Sequence, residues 1–139
     1  LLSDGAYLIG HKTPGLSQIG KRERMYQKTA RGLVPDDFSH EQSLVLETER
    51  GLLIVNCCSP GGVVNIIREV REAVYGYIGG FHLFNKSDAE IRAVAQNIRA
   101  TGLEFVCTGH CTGQRAYDIL KQTLGDRLHQ LHVGLEMTF

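Results

Sequence analysis

The chain has 139 residues, of which 42% are hydrophobic, and this length suffices for one domain with a hydrophobic core. Its 15 basic residues balance its 15 acidic residues, so no strong field of one sign would attract nucleic acid or an anionic membrane surface. No apolar run approaches the roughly 20 residues that span a bilayer, and residues 1–12 lack the basic and apolar regions of a signal peptide, so a cytoplasmic location is expected.

The first 42 residues are predicted to form an irregular arm. Pro14 and Pro35 interrupt long regular elements, so only a short strand over 6–9 and about one helical turn are expected there. His11 lies in this arm, where exposure to solvent is the simplest expectation. The lysine and arginine residues within 12–24 are typical of a solvated face, with contact to an anionic substrate as the alternative.

From residue 43 onwards, the sequence follows the periods of strands and helices. SLVLET (43–48) alternates and LLIVNC (52–57) is continuously apolar, a pair that predicts an antiparallel hairpin with a buried second strand. Apolar runs then alternate with amphipathic segments, which predicts strand–loop–helix units in series and therefore an α/β layered domain. The predicted strands are 52–57, 74–79 and 103–108, the predicted helices are 63–74, 87–102 and 114–125, and a last strand covers 129–137.

The four cysteines are too few for the dense disulfide framework of a small secreted domain, so free thiols are expected. Cys57 and Cys107 end apolar runs and are predicted to be small buried hydrophobic residues. Cys58 and Cys111 are reactive only if their surroundings lower the pKa of the thiol.

Polar side chains follow each of the three predicted parallel strands. The loops are CSPGG, GFHLFNK and GHCTG, and the candidate site residues within them are Cys58, Ser59, His82, His110, Cys111 and Thr112. The carboxyl ends of parallel strands meet at one edge of a sheet, where helix N-termini also point, so these loops converge if the strands are neighbours. Histidine and cysteine at such an edge can bind a borderline-soft metal such as zinc, although each of them alone is more simply explained as a hydrogen-bonding or buried residue.

Four longer motifs carry a resemblance to a known family. They are DDFSHEQSLV, NCCSPGGVVNII, GYIGGFHLFNKSDAEI and VCTGHCTGQRAYDIL, in this order and spacing. Together they resemble the C-terminal half of metallo-β-lactamase-fold hydrolases, in the branch related to the archaeal dihydropterin–ribofuranosylaminobenzene phosphate synthase. The resemblance implies that residues 43–139 form half of an αββα sandwich with a leading β-hairpin, and that residues 1–42 precede it as the irregular arm.

The resemblance also implies a dinuclear metal site, usually zinc, whose first ligands come from an HxHxDH motif. This sequence contains no HxHxDH, and Pro60 stands where the Cys-Ser-His-x-Gly motif of the family has a ligating histidine. The remaining metal ligands that the resemblance implies are His110 and His82, and the candidates for substrate binding beside them are Cys58, Ser59, Cys111 and Thr112. Two imidazoles are fewer than the three protein ligands of a typical catalytic zinc site, so metal binding by this chain alone is expected to be weak or absent.

Two functions remain open at this point. The first is the C-terminal portion of a metal-dependent hydrolase, inactive alone and truncated, since the sequence begins with leucine. The alternative is a non-catalytic assembly or binding module derived from that fold, and a phosphate-ester-binding protein that uses the glycine loops is a weaker third interpretation. Half of a sandwich would expose an apolar sheet face, so a homodimer or pairing with a missing N-terminal half is expected.

Overall fold

A computed structural model describes residues 2–139 and has a six-stranded sheet at its centre. The strands are Ala6–Gly10 (β1), Tyr26–Thr29 (β2), Gly32–Pro35 (β3), Gln42–Thr48 (β4), Gly51–Cys58 (β5), Val74–Gly80 (β6), Phe105–Thr108 (β7) and Leu128–Gln130 (β8). The helices are Leu16–Glu23 (α1), Val63–Glu69 (α2), Asp88–Ala100 (α3) and Gln114–Leu124 (α4), with short 3-10 turns at His110–Thr112 and Gly125–Arg127. Across residues 2–139, none of these helices has the length and apolar character needed to cross a membrane.

The sheet is mixed, with the order β1-β4-β5-β6-β7-β8. Strands β1, β4 and β5 are antiparallel neighbours, with Val45 opposite Ile54 in the hairpin that the sequence predicts. Strands β5 to β8 run parallel, with Tyr77 opposite Val106. The expected α/β domain, with a leading hairpin followed by strand–loop–helix units, is therefore confirmed.

Helices α2, α3 and α4 cover one face of the sheet and form the main core with it. Ile54 and Tyr77 from the strands and Ile91 and Leu120 from the helices have no exposed surface. Each such side chain contributes about 1.5–3 kcal/mol through burial of its apolar surface. This core fixes the strands, and with them the loops at their carboxyl ends.

The opposite face of the sheet has a smaller apolar cluster, centred on Leu53, Tyr75, Phe105 and Cys107. The C-terminal segment 131–139 packs against it, with the Phe139 ring 5.0 Å from that of Phe105. The strand predicted over 129–137 is therefore much shorter than expected. It ends at Gln130, because the chain leaves the sheet edge and turns back through a glycine with φ of 83° at position 134.

One helix boundary is set by local sequence and another by tertiary contacts. Ser87 and Glu90 form a reciprocal capping box at the start of α3, as their spacing predicts. Helix α2, predicted over 63–74, ends at Glu69, and Val70 is extended. The Glu69 side chain is held by the N-terminal segment, and the chain must turn there to enter β6 at Val74.

The segment 1–42 is more regular than predicted. It contains β1 of the main sheet, the eight-residue helix α1, and the separate β2–β3 hairpin. Pro14 lies just before α1, and Gly15, with φ of 86°, begins the helix without breaking it. His11 is not exposed, because its ring is buried beside Ser43 and Glu69.

Candidate metal centre

The carboxyl ends of β5, β6 and β7 lie side by side at one edge of the sheet. Cys58 is the last residue of β5 and pairs with Gly80, the last residue of β6. His82 follows two residues after β6, and Cys111 lies in the 3-10 turn that follows β7. The parallel register thus brings together side chains that are far apart in the sequence.

Three metal-binding side chains converge there. The Sγ atom of Cys58 lies 2.7 Å from Sγ of Cys111 and 3.4 Å from Nδ1 of His82. All three ligand atoms lie within 4.8 Å of one another, and each residue is half-buried. The backbone N–H of His82 also donates a hydrogen bond to Cys111 Sγ at 3.3 Å.

Gly80 lies beneath this cluster and allows the loops to approach each other. A Cβ atom on Gly80 would lie 2.5 Å from Cys111 Sγ, 3.0 Å from the carbonyl oxygen of Cys57 and 3.4 Å from Cδ2 of His110. His110 is exposed, yet its ring rests against the same glycine as Cys111. His82 and His110 therefore belong to one rim rather than to separate surfaces.

Both histidines have a backbone conformation that is uncommon for a residue with a side chain. The φ angle is 53° at His82 and 53° at His110, in the left-handed region. Such strain persists only where the surrounding structure determines it, and it is concentrated at functional sites. Arg24 and Phe38 have the same conformation elsewhere in the chain, so the backbone geometry supports the candidate site only together with the donor atoms.

The electrostatics of the cluster favour neutral side chains in the absence of a cation. Burial, the neighbouring Cys111 and the charge of Glu41 raise the pKa of the Cys58 thiol to about 12. Burial also lowers the pKa of His82 below its ordinary value, which favours the neutral imidazole that binds metals. Glu41 itself has a buried carboxylate oxygen, Oε2, without a hydrogen-bond partner among the described residues.

The two hydroxyl residues predicted to contact substrate lie beneath the rim. Ser59 is 1% exposed, and its hydroxyl lies 2.5 Å from that of Tyr77. Thr112 has no exposed surface; its Oγ1 lies 2.6 Å from Oγ1 of Thr108 and accepts a hydrogen bond from the backbone N–H of Phe81. Both hydroxyls tie one loop to another strand, so the structure gives them a role in positioning, and their contact with substrate stays a prediction.

A surface cavity of about 220 Å³ adjoins the cluster. His82 and Pro60 lie on its wall, next to the cationic side chains of Arg22 and Lys86. Both cations pair with the carboxylate of Glu23. Pro60, which stands where the family motif has a ligating histidine, thus faces the same space as His82.

The four cysteines lie at or near the ends of β5 and β7, and their environments differ. Cys57 is exposed rather than buried, because its neighbour Cys58 faces the cluster, whereas Cys107 is buried as predicted. A donor set of two thiol sulfurs and one imidazole nitrogen fits zinc, which takes cysteine and histidine ligands. The two sulfur atoms lie closer to His82 than the resemblance alone implies, since it names only His82 and His110 as ligands.

Comparisons with individual curated proteins and with solved structures support the resemblance. No protein-family model matches the sequence. The chain is 32% identical over 112 residues to the 7,8-dihydropterin-6-methyl-4-(β-D-ribofuranosyl)-aminobenzene-5'-phosphate synthase of Methanocaldococcus jannaschii, a match that covers 77% of this chain and 38% of the synthase. It is also 28% identical over 91 residues to an uncharacterized protein of the same archaeon, covering 64% of this chain and 34% of that protein.

The structural comparison extends over almost the whole chain. The crystal structure of a metal-dependent hydrolase of the β-lactamase superfamily matches with a TM-score of 0.84 and 28% sequence identity. This match covers 99% of the present chain and 55% of the hydrolase, so the chain spans about half of that protein and about two-fifths of the synthase. The chain therefore has part of the metallo-β-lactamase fold. The resemblance that its motifs indicate, to the metal-dependent hydrolases of this superfamily in the branch of the dihydropterin–ribofuranosylaminobenzene phosphate synthase, is confirmed.

Proposed function

We propose that this chain is the C-terminal portion of a metal-dependent hydrolase and supplies part of a zinc centre that an HxHxDH-bearing segment completes. The observation that carries the proposal is the convergence of His82 with Cys58 and Cys111 at the carboxyl edge of the sheet, with His110 on the same rim. Ligands in open α/β sheets bind at this edge. A zinc ion bound there would supply a polarised water molecule for hydrolysis.

The same residues support the proposal that the 139-residue chain does not catalyse hydrolysis alone. Its sequence contains no HxHxDH motif, and Pro60 offers no side-chain atom that can bind a cation. Pro60 and His82 line the same cavity, and we propose that a histidine at position 60 would reach the centre. Proline at position 60 also favours the alternative function, a binding or assembly module that keeps the fold but does not catalyse hydrolysis.

Activity and metal binding separate these alternatives. We expect the chain with zinc or manganese to show no hydrolysis of bis(4-nitrophenyl) phosphate above its His110→Ala variant. A fusion with an HxHxDH-bearing N-terminal segment from a metallo-β-lactamase-fold hydrolase is expected to hydrolyse the substrate only when His110 is intact. Metal-dependent turnover by the 139-residue chain would contradict its inactivity alone, and a folded, metal-loaded fusion without turnover would favour the binding module.

The Pro60→His variant tests the position of the loop. It is expected to raise the zinc affinity of the 139-residue chain by at least about tenfold, because one more imidazole joins the site. Isothermal titration calorimetry measures the change, with Pro35→His, which lies at the end of the β2–β3 hairpin, as the matched control. Equal affinities for all three proteins would show that residue 60 does not face the centre.

We also propose that a second copy of the chain or an HxHxDH-bearing segment covers the open face of the sheet. Val55 and Ile78 are only half-buried there, and Leu8 of β1 is 44% exposed. Apolar residues on one sheet face are typical of packing against another sheet. Size-exclusion chromatography with light scattering at micromolar concentration is expected to give a dimer for the 139-residue chain, and a stable monomer would leave only the segment as the partner.

A further inference from the structure

The thiol–imidazole cluster has a property that hydrolase chemistry does not require. Cys58, His82 and Cys111 all come from this chain, and their ligand atoms already lie within 4.8 Å of one another. We propose that these three residues form a self-contained site that binds one zinc ion through two sulfur atoms and one nitrogen atom. The proposal deepens the proposed function, which assigns the same residues to part of a zinc centre, but it requires neither the HxHxDH motif nor turnover.

The donor atoms determine which cation fits. Cysteine sulfur selects soft and borderline ions such as zinc, whereas magnesium and manganese prefer oxygen ligands. Two thiolates and one neutral imidazole balance the charge of a zinc ion, and three protein ligands leave a fourth position for water. The site is therefore expected to take zinc or cobalt and to reject magnesium.

The surrounding structure holds the three ligands in place. The backbone N–H of His82 donates to Cys111 Sγ, and the backbone N–H of Cys58 donates to the side chain of Asn56 at 3.1 Å. Thr112, next to Cys111, is tied to β7 through Thr108. Such outer contacts orient metal ligands and preserve their affinity.

Small movements of the thiols complete the geometry. Zinc–sulfur distances of about 2.3 Å in a tetrahedral site require the two sulfur atoms to lie about 3.8 Å apart. The two sulfur atoms now lie 2.7 Å apart, so they must move apart by about 1 Å when zinc binds. Cys58 and Cys111 are both half-buried, which gives the ion access from solvent.

A negative charge nearby also favours a cation. The charge of Glu41 acts on Cys58, and its Oε2 atom is buried without a hydrogen-bond partner among the described residues. A buried carboxylate without a partner is costly, and a neighbouring cation offsets that cost.

Cobalt substitution tests the site with a readout that does not depend on activity. The chain, kept reduced with a phosphine, is titrated with cobalt and then with zinc, and absorption is recorded. We expect one ion per chain, with sulfur-to-cobalt charge-transfer bands and the intense visible bands of tetrahedral cobalt, both of which zinc abolishes. Folded, reduced protein that binds neither ion, or binds cobalt without the sulfur bands, would overturn the proposal.

Matched variants assign the ligands. Cys58→Ser and Cys111→Ser are each expected to weaken binding by at least about 100-fold, and His82→Asn by at least about tenfold. Asparagine is chosen because it tolerates the left-handed conformation at this position. Cys57→Ser is the control, since Cys57 is adjacent in sequence but exposed, and its affinity is expected to be unchanged.

Protection against alkylation covers the case in which a variant fails to fold. In the unmodified chain, zinc is expected to slow the reaction of iodoacetamide with Cys58 and Cys111 but not with Cys57, as peptide mass spectrometry measures. Equal protection of all three cysteines, or of none, would contradict the site. If the thiols bind zinc in a fusion that shows no turnover, only the proposed function is contradicted. If the fusion shows turnover but its metal has no sulfur ligands, only this inference is contradicted.

Discussion

Replacing Gly79 with alanine is expected to lower the free energy of unfolding by about 2–6 kcal/mol, a large part of the stability of a domain of this size. A Cβ atom on Gly79 would lie 2.1 Å from the carbonyl oxygen of Asn56, which belongs to the backbone of the neighbouring strand β5. The φ angle of 153° at Gly79 adds strain for any residue with a side chain. A backbone carbonyl cannot rotate away, so β5 and β6 must separate.

Urea denaturation followed by circular dichroism measures this loss, with Gly10→Ala as the control. Gly10 also lies in a strand, but a Cβ atom there would have no heavy atom within 4 Å, so a change of less than about 0.5 kcal/mol is expected. Because Gly79 leads directly into the loop of His82, the damaged variant is also expected to lose zinc affinity. Equal stability of the two variants would show that the strands do not approach each other as closely as described.

Removing the carboxylate of Glu69 is expected to have the second large effect, about 2–4 kcal/mol for Glu69→Ala. One carboxylate oxygen accepts hydrogen bonds from the backbone N–H groups of Lys12 and Thr13, at 2.9 and 2.7 Å, and from the Thr13 hydroxyl. The other oxygen lies 3.0 Å from Nδ1 of His11. This single side chain at the end of α2 therefore anchors the chain between β1 and α1.

The pH dependence of the Glu69 contribution has a definite sign. Burial acts to raise its pKa, but the hydrogen bonds from Thr13, His11 and Lys12 outweigh burial and bring the pKa below the ordinary value of 4.5. The folded state thus binds a proton less readily than the unfolded state, so the stabilisation is complete above about pH 4.5 and is lost as the pH falls through the folded pKa.

Glu69→Gln tests this sign, because it keeps the shape of the side chain and removes the charge. Its deficit in stability relative to the unmodified chain is expected to be largest near pH 7 and to shrink towards pH 3. Glu72→Gln is the control, since Glu72 is exposed, and a change within about 0.5 kcal/mol is expected at both pH values. A Glu69→Gln deficit that is constant with pH would show that the charge does not stabilise the fold.

Local sequence was sufficient to predict the central part of the fold. The hairpin over 43–57 and the start of α3 at Ser87 rest on alternation and on a capping box, which act over a few residues. The structure of the N-terminal segment was harder to predict, because the segment is held by Glu69, which lies 58 residues from His11. For the same reason, the residues around His11 do not predict its burial, and the residues around Glu69 do not predict that α2 ends there.

The position of the candidate site at the sheet edge could be predicted from the sequence, but the side chains that meet there could not. Parallel strands in series bring their loops to one edge, so the convergence of the loops follows from the order of elements. Which side chains meet depends on the register that pairs Cys58 with Gly80 and on the turn after β7 that directs Cys111 inward and leaves His110 exposed. Sequence spacing does not encode that register, so it does not show which of the cysteine and histidine side chains in these loops lie within reach of one another.

The C-terminal segment has a consequence for any protein that approaches the open face of the sheet. Phe139 packs edge-on against the rings of Tyr75 and Phe105, and Leu135 joins the same cluster. An incoming surface must displace these side chains before it reaches Tyr75 and Phe105, so the tail acts as an intramolecular competitor for that part of the face. The measured affinity of such a complex would report two steps, release of the tail and docking, and shortening the tail would strengthen association without altering the docking surface itself.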